Sequence, residues 1–401
     1  MNIETIRIKN FKALQDVELV DLPQYCVFVG GNGTGKTTLF RVFSFLKNCL
    51  AKNVRSALHK EGGRNGLKEV VSRGHEGEDI EIEIQFRLQI AGTDRKVTYR
   101  LEIGETKKGD VVVKREILRY KRGEFGHPFH FIDFKAGKGA AVNNEEDFDK
   151  EDRELEREEQ TLESPDTLAI KGLGQFSRFK AAVAFRRLIE NWHISDFHIS
   201  AARGDKEDSE GEHLSENGDN LPAVARHLFD RHPDLFKGII QKMSERVPGV
   251  SDISVTITDD GRLLMKYKDG TFQDPFIDKN VSDGTVKIFA YLVLLADPKP
   301  HPILCVEEPE NQLHPKLMGI LAEEFLQYSE RGGQVFISTH SPDFLNAISL
   351  ESVYWLEKEN GTSRIFRANQ FPQLRALCDE GDKPGTLWKQ GLLDRQNIEV
   401  K

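Results

Sequence analysis

Residues 30–38 read Gly30-Gly31-Asn32-Gly33-Thr34-Gly35-Lys36-Thr37-Thr38, a glycine-rich turn closed by a lysine and two threonines. An apolar run, Cys26-Val27-Phe28-Val29, precedes it. A helical pattern follows, with Leu39, Phe40, Phe43, Leu46 and Leu50 on one face. Strand, loop, lysine and helix in that order make the setting in which such a turn cradles phosphate. Glycines at 30, 33 and 35 let backbone N–H groups, those of Asn32, Thr34 and Thr38 included, close on phosphate oxygens without Cβ clashes. Lys36 is placed to reach β- and γ-phosphates, and is expected to face solvent until they arrive. Thr37 offers a hydroxyl to Mg²⁺, and the helix N-terminus adds a dipole that favours anions.

Two further strand ends carry polar groups. Ile303-Leu304-Cys305-Val306-Glu307-Glu308 reads as a buried strand ending in two carboxylates. Adjacent acids there suit different tasks: Glu307 holds the metal ion or its water, and Glu308 orients or deprotonates an attacking water. In Gln334-Val-Phe-Ile-Ser338-Thr339-His340-Ser341-Pro342, His340 can contact a γ-phosphate or the water, or simply cap and pack. Ser282-Asp283-Gly284 precedes an apolar helix containing Ile288, Tyr291, Leu292 and Leu295. It reads as an N-cap that also exposes N–H groups and a hydroxyl to a phosphate.

The elements that must position these groups follow from hydropathy patterning. Ile80 to Ile90 places apolar residues on every even position, a strand with one wet face. Val97, Tyr99, Leu101 and Ile103 repeat it, and residues 80–134 are predicted to form an antiparallel meander. A strongly acidic run between Glu145 and Glu159 reads as a solvated linker or exposed helix, without heptads for a coiled-coil arm. Helices are predicted over 176–192, 221–247, 284–296 and 315–328. Strands are predicted over 253–257, 262–267, 303–306 and 334–338, and a polar loop over 205–220. Strand–helix alternation argues a parallel α/β sheet. The chain of 401 residues is 38% hydrophobic and 30% charged, with net charge −9, so it is expected to be a soluble globular protein and not a general nucleic-acid coat. No apolar window is long enough to span a membrane. The four cysteines show no paired spacing, which fits a reducing cytosol. His127 and His130 have no carboxylate or cysteine arranged beside them, and His193 and His198, five apart, miss the i, i+4 face of a metal-binding helix, so no zinc site is expected.

The order of motifs resembles ABC-type ATPases of the RecF/SMC/OLD lineage. The residues that carry the resemblance are Asn10-Phe11-Lys12, the glycine-rich turn at 30–38, Val-Ser-Asp-Gly-Thr at 281–285, Val306 to Pro315, and Phe336 to Pro342. The resemblance implies an α/β P-loop NTPase, an ABC-type head with a parallel core sheet, an antiparallel β meander and a helical lid insertion. Its expected divisions are 1–134, an N-terminal lobe; 135–250, acidic linker and lid; and 251–401, a C-terminal lobe. ATP and Mg²⁺ are the implied cofactors. Glu307 becomes the Walker B acid, Glu308 the catalytic carboxylate and His340 the switch histidine. Ser282 and Gly284 become a signature that contacts ATP across a dimer, and Lys12 an approach to the nucleotide. Departures are Glu307 in place of aspartate, Asp283 in place of glycine, and no identifiable Q-loop glutamine, Gln85 and Gln175 reading as ordinary polar residues. Gly385-Thr-Leu-Trp-Lys-Gln-Gly-Leu-Leu393 resembles stand-alone ATPases of this lineage, often linked to anti-phage defence.

Between Lys36 and Glu307 lie too few residues, without periodicity, for long coiled-coil arms. The 61 residues after His340 are too short for an appended Toprim nuclease, so no nuclease site is expected. The expectation is a Mg²⁺-dependent ATPase that closes as a homodimer or higher homo-oligomer through its ATP sites and regulates a separate nuclease or toxin. The alternative is a RecF-like DNA-binding ATPase of DNA repair. A transporter subunit would need a membrane partner, and the large lid and the Asn10-Phe11-Lys12 opening argue against it.

Overall fold

The computed structural model describes residues 2–63, 66–90, 92–121, 129–142, 156–207 and 211–399. They form two compact units, Met1–Trp192 with Tyr354–Arg367, and His193–Val353 with Ala368–Lys401.

The first unit opens with a hairpin, β1 (Ile3–Phe11) and β2 (Leu14–Leu19), in which Phe11 pairs with Leu14. Its tight bend puts Asn10 and Lys12 at positive φ, 59° and 50°. Asn tolerates that region better than most residues, and here its side chain is also fully used. Asn10 Nδ2 donates to the carbonyls of Glu78 at 3.0 Å and His75 at 3.3 Å, and Oδ1 accepts from Ser72 N–H at 3.0 Å. β3 (Tyr25–Gly30) is buried throughout. It leads into α1 (Lys36–Ala51) and α2 (Val54–Lys60).

The meander is longer than the sequence pattern indicates. β4 (Ile80–Ile90), β5 (Thr93–Glu105), β6 (Val111–Tyr120), β7 (Phe129–Lys135), β8 (Lys138–Val142) and β9 (Arg157–Thr161) follow one another in the sheet order β2-β1-β4-β5-β6-β7-β8-β9. The even positions of β4 are all buried, as the alternation predicts. A boundary at 134/135 would cut the β7–β8 hairpin, where Lys135 pairs with Lys138. The end of the acidic run is therefore a strand, Glu158 opposite Ala141. Residues 143–155, with most of that run, and His127 lie outside the described residues. After α3 (Ala169–Leu173), α4 (Lys180–Glu190) belongs with the meander: Phe185 stacks on Phe86 at 4.8 Å and packs at a tilt of 46° on Tyr99 at 4.5 Å between ring centres.

Glu116, on β6, is the meander's buried acid, 1% exposed. It accepts from Ala169 N–H, from Ile170 N–H at 3.2 Å and from Tyr99 O–H at 3.1 Å. Burial nevertheless pushes its carboxyl up to about 7. A folded-state value above the unfolded one means the folded chain holds the extra proton. This stabilisation is complete below about 4.5 and is lost as pH rises through about 7. Its full size is of order 3 kcal/mol. Thermal unfolding at pH 5 and pH 8 should therefore show a smaller difference for Glu116→Gln than for the unsubstituted protein; equal differences would rule out this titration.

The second unit contains β10 (His193–Ser195), α5 (Ile199–Ala202), β11 (Lys206–Glu207), α6 (Leu221–Arg231) and α7 (Pro233–Arg246). The helix predicted over 221–247 is thus two, because Pro233 lacks the N–H that would continue the first. β12 (Val250–Ile257), β13 (Arg262–Asp269) and β14 (Phe276–Ile277) form an antiparallel sheet with β11, so a division at 250/251 falls inside β12. α8 (Asp283–Leu295) is buried from Thr285 to its end, as expected of an apolar helix inside a core. β15 (Ile303–Glu307), α9 (Met318–Glu330), β16 (Gln334–Thr339) and α10 (Pro342–Leu345) complete the strand–helix alternation. β10, β15 and β16 run parallel, with Cys305 opposite both Ile194 and Phe336. The chain then returns to the first unit as β17 (Val353–Glu359) and β18 (Thr362–Arg367), with β17 beside β3. α11 (Pro372–Asp379), α12 (Pro384–Lys389) and α13 (Arg395–Glu399) close the second unit. Among the described residues no helix is long and apolar enough to cross a membrane.

Candidate nucleotide site

The glycine-rich turn in the first unit is built on close approaches that require its glycines. A Cβ on Gly30 would lie 2.7 Å from the carbonyl of Leu356 and from Thr34 Oγ1. Gly35 has φ +106°, and a Cβ there would come to 2.2 Å of Ser363 Oγ. Ser363, on β18, donates to the Thr34 carbonyl at 2.7 Å, and its N–H donates to the Ala13 carbonyl at 2.8 Å. It is the underside support of the turn, and no local pattern announces it. Thr37 and Asn32 are exposed, Thr38 is half-buried and Thr34 is buried.

Lys36 departs from the expectation of a solvent-facing side chain. It is 6% exposed, and its Nζ donates to the carbonyls of Gly30 at 2.8 Å and Gly31 at 3.2 Å. A buried ammonium needs acceptors, and the turn's own carbonyls supply them. Lys12 forms an ion pair with Glu61, Nζ to Oε2 at 2.5 Å, and its side chain is 19% exposed. It is an anchored lysine rather than a free surface one.

In the second unit, parallel pairing aligns Glu307 on β15 with Ser338 on β16. Just past the strand, Glu308 N–H donates to the Ser338 carbonyl at 2.9 Å. Glu308 adopts φ +44°. A non-glycine residue in that region costs of order 1 kcal/mol, and such strain clusters at functional sites. Its carboxylate is held from both sides: Oε1 lies 3.4 Å from His340 Nε2, and Oε2 accepts from Asn311 Nδ2 at 3.1 Å. His340 is itself fixed through its backbone N–H, which donates to Glu310 Oε1 at 2.6 Å. Glu310 and Asn311 are thus site residues to which sequence reasoning gave no role, although both sit in the quoted motif. The structure brings Glu308 and His340 together, as the two strand ends imply.

Ser282 caps α8, its Oγ accepting from Thr285 N–H at 3.2 Å, and Ser282 and Asp283 are exposed. Gly284 lets the Gln312 carbonyl approach: a Cβ would lie 2.8 Å from it. The helix start is held by Arg203, which donates to the carbonyls of Asp278 and of Val281 (2.7 Å) and to Asp283 Oδ1 (2.5 Å). Its partners lie 75 to 80 positions on, so no local pattern points to that arginine. Lys287, one turn into α8, is 5% exposed and donates to the Asn311 carbonyl at 2.7 Å. Burial lowers its ammonium to about 8, against the opposing pull of Glu310 and Glu308. Gln85 lies on the partly exposed face of β4 and Gln175 is exposed, and neither meets the groups above in any described contact. The terminal motif also finds a place: Gly385 sits so close to the Pro342 carbonyl that no Cβ fits, and Thr386 N–H donates to Asn346 Oδ1 at 3.1 Å. It therefore packs on the short helix that follows His340.

Fold and motifs together define an ABC-type ATPase of the RecF/SMC lineage, a mixed α/β chain with the fold of an SMC head. Residues 26–346 match the family described as "AAA domain, putative AbiEii toxin, Type IV TA system", and the chain belongs to that family. Among curated proteins it is similar to the DNA replication and repair protein RecF of Lactococcus lactis subsp. cremoris, strains MG1363 and SK11. The identity is 26% over 149 residues, 35% of this chain and 40% of each relative. The match thus spans about two fifths of those relatives' length. Among solved structures, an Smc head bound to the C-terminal winged-helix domain of ScpA superposes with TM-score 0.56. It is 13% identical, over 91% of this chain and 97% of that one. An Smc head with an extended coiled coil, bound to the C-terminal domain of ScpA derived from Pyrococcus furiosus, gives TM-score 0.52. It is 12% identical, over 94% and 98%. At such identities the likeness speaks for the fold alone.

Proposed function

We propose that this protein binds ATP with Mg²⁺ and hydrolyses it, and that two copies close head to tail on the nucleotide. Lys36 and the N–H groups of the glycine-rich turn take the phosphates. Thr37 supplies a hydroxyl ligand to Mg²⁺ and Glu307 a carboxylate, both hard oxygen donors suited to that ion. Mg²⁺ contributes neutralisation of charge on the phosphate oxygens. Glu308 acts as base towards the attacking water, and His340 and Asn311 hold its carboxylate in one orientation. Ser282 and Gly284 of one copy meet the nucleotide of the other, and Lys12 approaches the nucleotide. The observation that carries hydrolysis, beyond binding, is the Glu308 carboxylate gripped by His340 and Asn311 at adjacent strand ends.

The biological role proposed is a cytoplasmic regulator whose ATP cycle controls a separate nuclease or toxin, with no nuclease site of its own. The family description, which refers to a toxin–antitoxin system, supports it. A second reading, a RecF-like DNA-binding ATPase of repair, is favoured by the RecF match. DNA-stimulated ATP turnover would select the second over the first.

The test begins with Lys36→Ala. The substitution removes a phosphate ligand together with two hydrogen bonds to the turn, worth about 1 kcal/mol each. Circular dichroism should be unchanged, and ATP affinity should fall at least ~10-fold with loss of turnover. Turnover near that of the unsubstituted protein would end the assignment.

A further inference from the structure

Outside the nucleotide motifs, the second unit gathers three potential metal-ligating side chains. Asp297 lies just past the C-terminal end of α8, His301 just ahead of β15, and His213 in the loop before α6. Their ligand atoms all lie within 4.8 Å of one another. Asp297 Oδ2 stands 2.5 Å from His213 Nδ1 and 3.9 Å from His301 Nε2. We infer that His213, Asp297 and His301 form a binding site for a divalent transition-metal ion of the Zn²⁺ class, separate from the Mg²⁺ of the nucleotide.

Four features carry this. First, the donor set of two imidazoles and one carboxylate suits zinc and its neighbours, whereas Mg²⁺ prefers oxygen alone. Second, donors roughly 2.0–2.2 Å from a tetrahedral ion stand somewhat over 3 Å apart. The present separations bracket that value, so small rotations of the side chains suffice.

Third, the electrostatics call for a cation. Asp297 is 5% exposed. It sits at the end of a 13-residue helix where unsatisfied carbonyls already concentrate negative charge. Arg331 answers those carbonyls, donating to Leu295 O and to Asp297 O, the latter at 3.2 Å. Among the described residues the side chains within ion-pair distance of the Asp297 carboxylate are the two histidine rings, and no lysine or arginine side chain joins them. A bound ion would supply the missing charge.

Fourth, the site is oriented and reachable. Lys299 N–H donates to Asp297 Oδ1 at 2.8 Å and so turns Oδ2 towards the histidines. The His193 ring packs on His301, centroids 4.8 Å apart and planes at 30°, and limits its rotation. Both act as outer supports for the ligands. His213 and Asp297 line a cleft of about 830 Å³ that also carries His227, His232 and Asp230. With three protein ligands, the ion keeps a fourth position open to that cleft, as in catalytic rather than structural zinc sites. Binding would replace the 2.5 Å contact between His213 Nδ1 and Asp297 Oδ2 by a bond from each group to the ion. The ion would also pin the far end of α8, whose other end carries Ser282, to the start of the strand that ends in Glu307.

The experiment uses the full chain, stripped with chelator, free of nucleotide and kept in excess Mg²⁺. Zn²⁺ is titrated by calorimetry, and Co²⁺ is added in parallel as a spectroscopic substitute. The expected result is one Zn²⁺ per chain and a Co²⁺ spectrum of low coordination number. His213→Ala changes an exposed residue that can be lost without unfolding. Affinity should fall at least ~10-fold in it, and saturable binding should vanish in His213→Ala/His301→Ala. Asp297→Asn, which keeps shape, should also lose at least ~10-fold. Absence of saturable Zn²⁺ binding would overturn the site. So would one-to-one binding of unchanged affinity in both His213→Ala and Asp297→Asn.

Discussion

Glu308→Gln is expected to slow ATP hydrolysis by about 10²–10⁴-fold, the usual contribution of a positioned general base, while ATP binding persists. The amide keeps the shape and one acceptor oxygen, so the hydrogen bond from Asn311 Nδ2 can survive. What disappears is the negative charge that can take a proton from water and that faces His340 at 3.4 Å. Backbone strain at φ +44° is unaffected, because glutamine meets the same steric limits there. The variant should therefore accumulate as an ATP-bound species. The measurement is steady-state phosphate release beside equilibrium binding of ATP. Hydrolysis at the unsubstituted rate would remove Glu308 from the mechanism.

Ser282→Arg is expected to bring turnover down to background while leaving ATP binding within a few-fold. Two effects separate here. Loss of the cap on Thr285 N–H costs about 1 kcal/mol of local helix stability. The larger effect is steric, since in the proposed dimer the exposed start of α8 meets the nucleotide held by the other copy. A long cation there would keep the copies apart. Ser282→Ala separates the two, because it loses the cap without adding bulk and should retain much more activity. Sedimentation with and without ATP, in the Glu308→Gln background, should show ATP-driven dimerisation that Ser282→Arg abolishes. Full turnover in Ser282→Arg would reduce residues 281–285 to a helix cap.

The nucleotide motifs were legible in the sequence because each works through contiguous backbone. A phosphate turn needs its glycines, lysine and threonine in one short run, and a strand end needs its acids where the strand stops. The same holds for the β4 alternation and for the apolar helix α8. Tertiary structure decided what depends on residues far apart in the chain. Ser363 supports Thr34 from 329 positions away, and Arg203 holds a helix start some 80 positions on. Asn10 earns its place at the bend through carbonyls 65 and 68 residues later. Lys36 turned inward because, once buried, its ammonium is best satisfied by the carbonyls of its own turn. The three-residue β10 is too short to carry a period, and only its pairing with β15 makes it a strand. His213, Asp297 and His301 follow the same rule. Spacing along the chain says nothing of them, since a loop, a helix end and a strand start meet only when the core has packed.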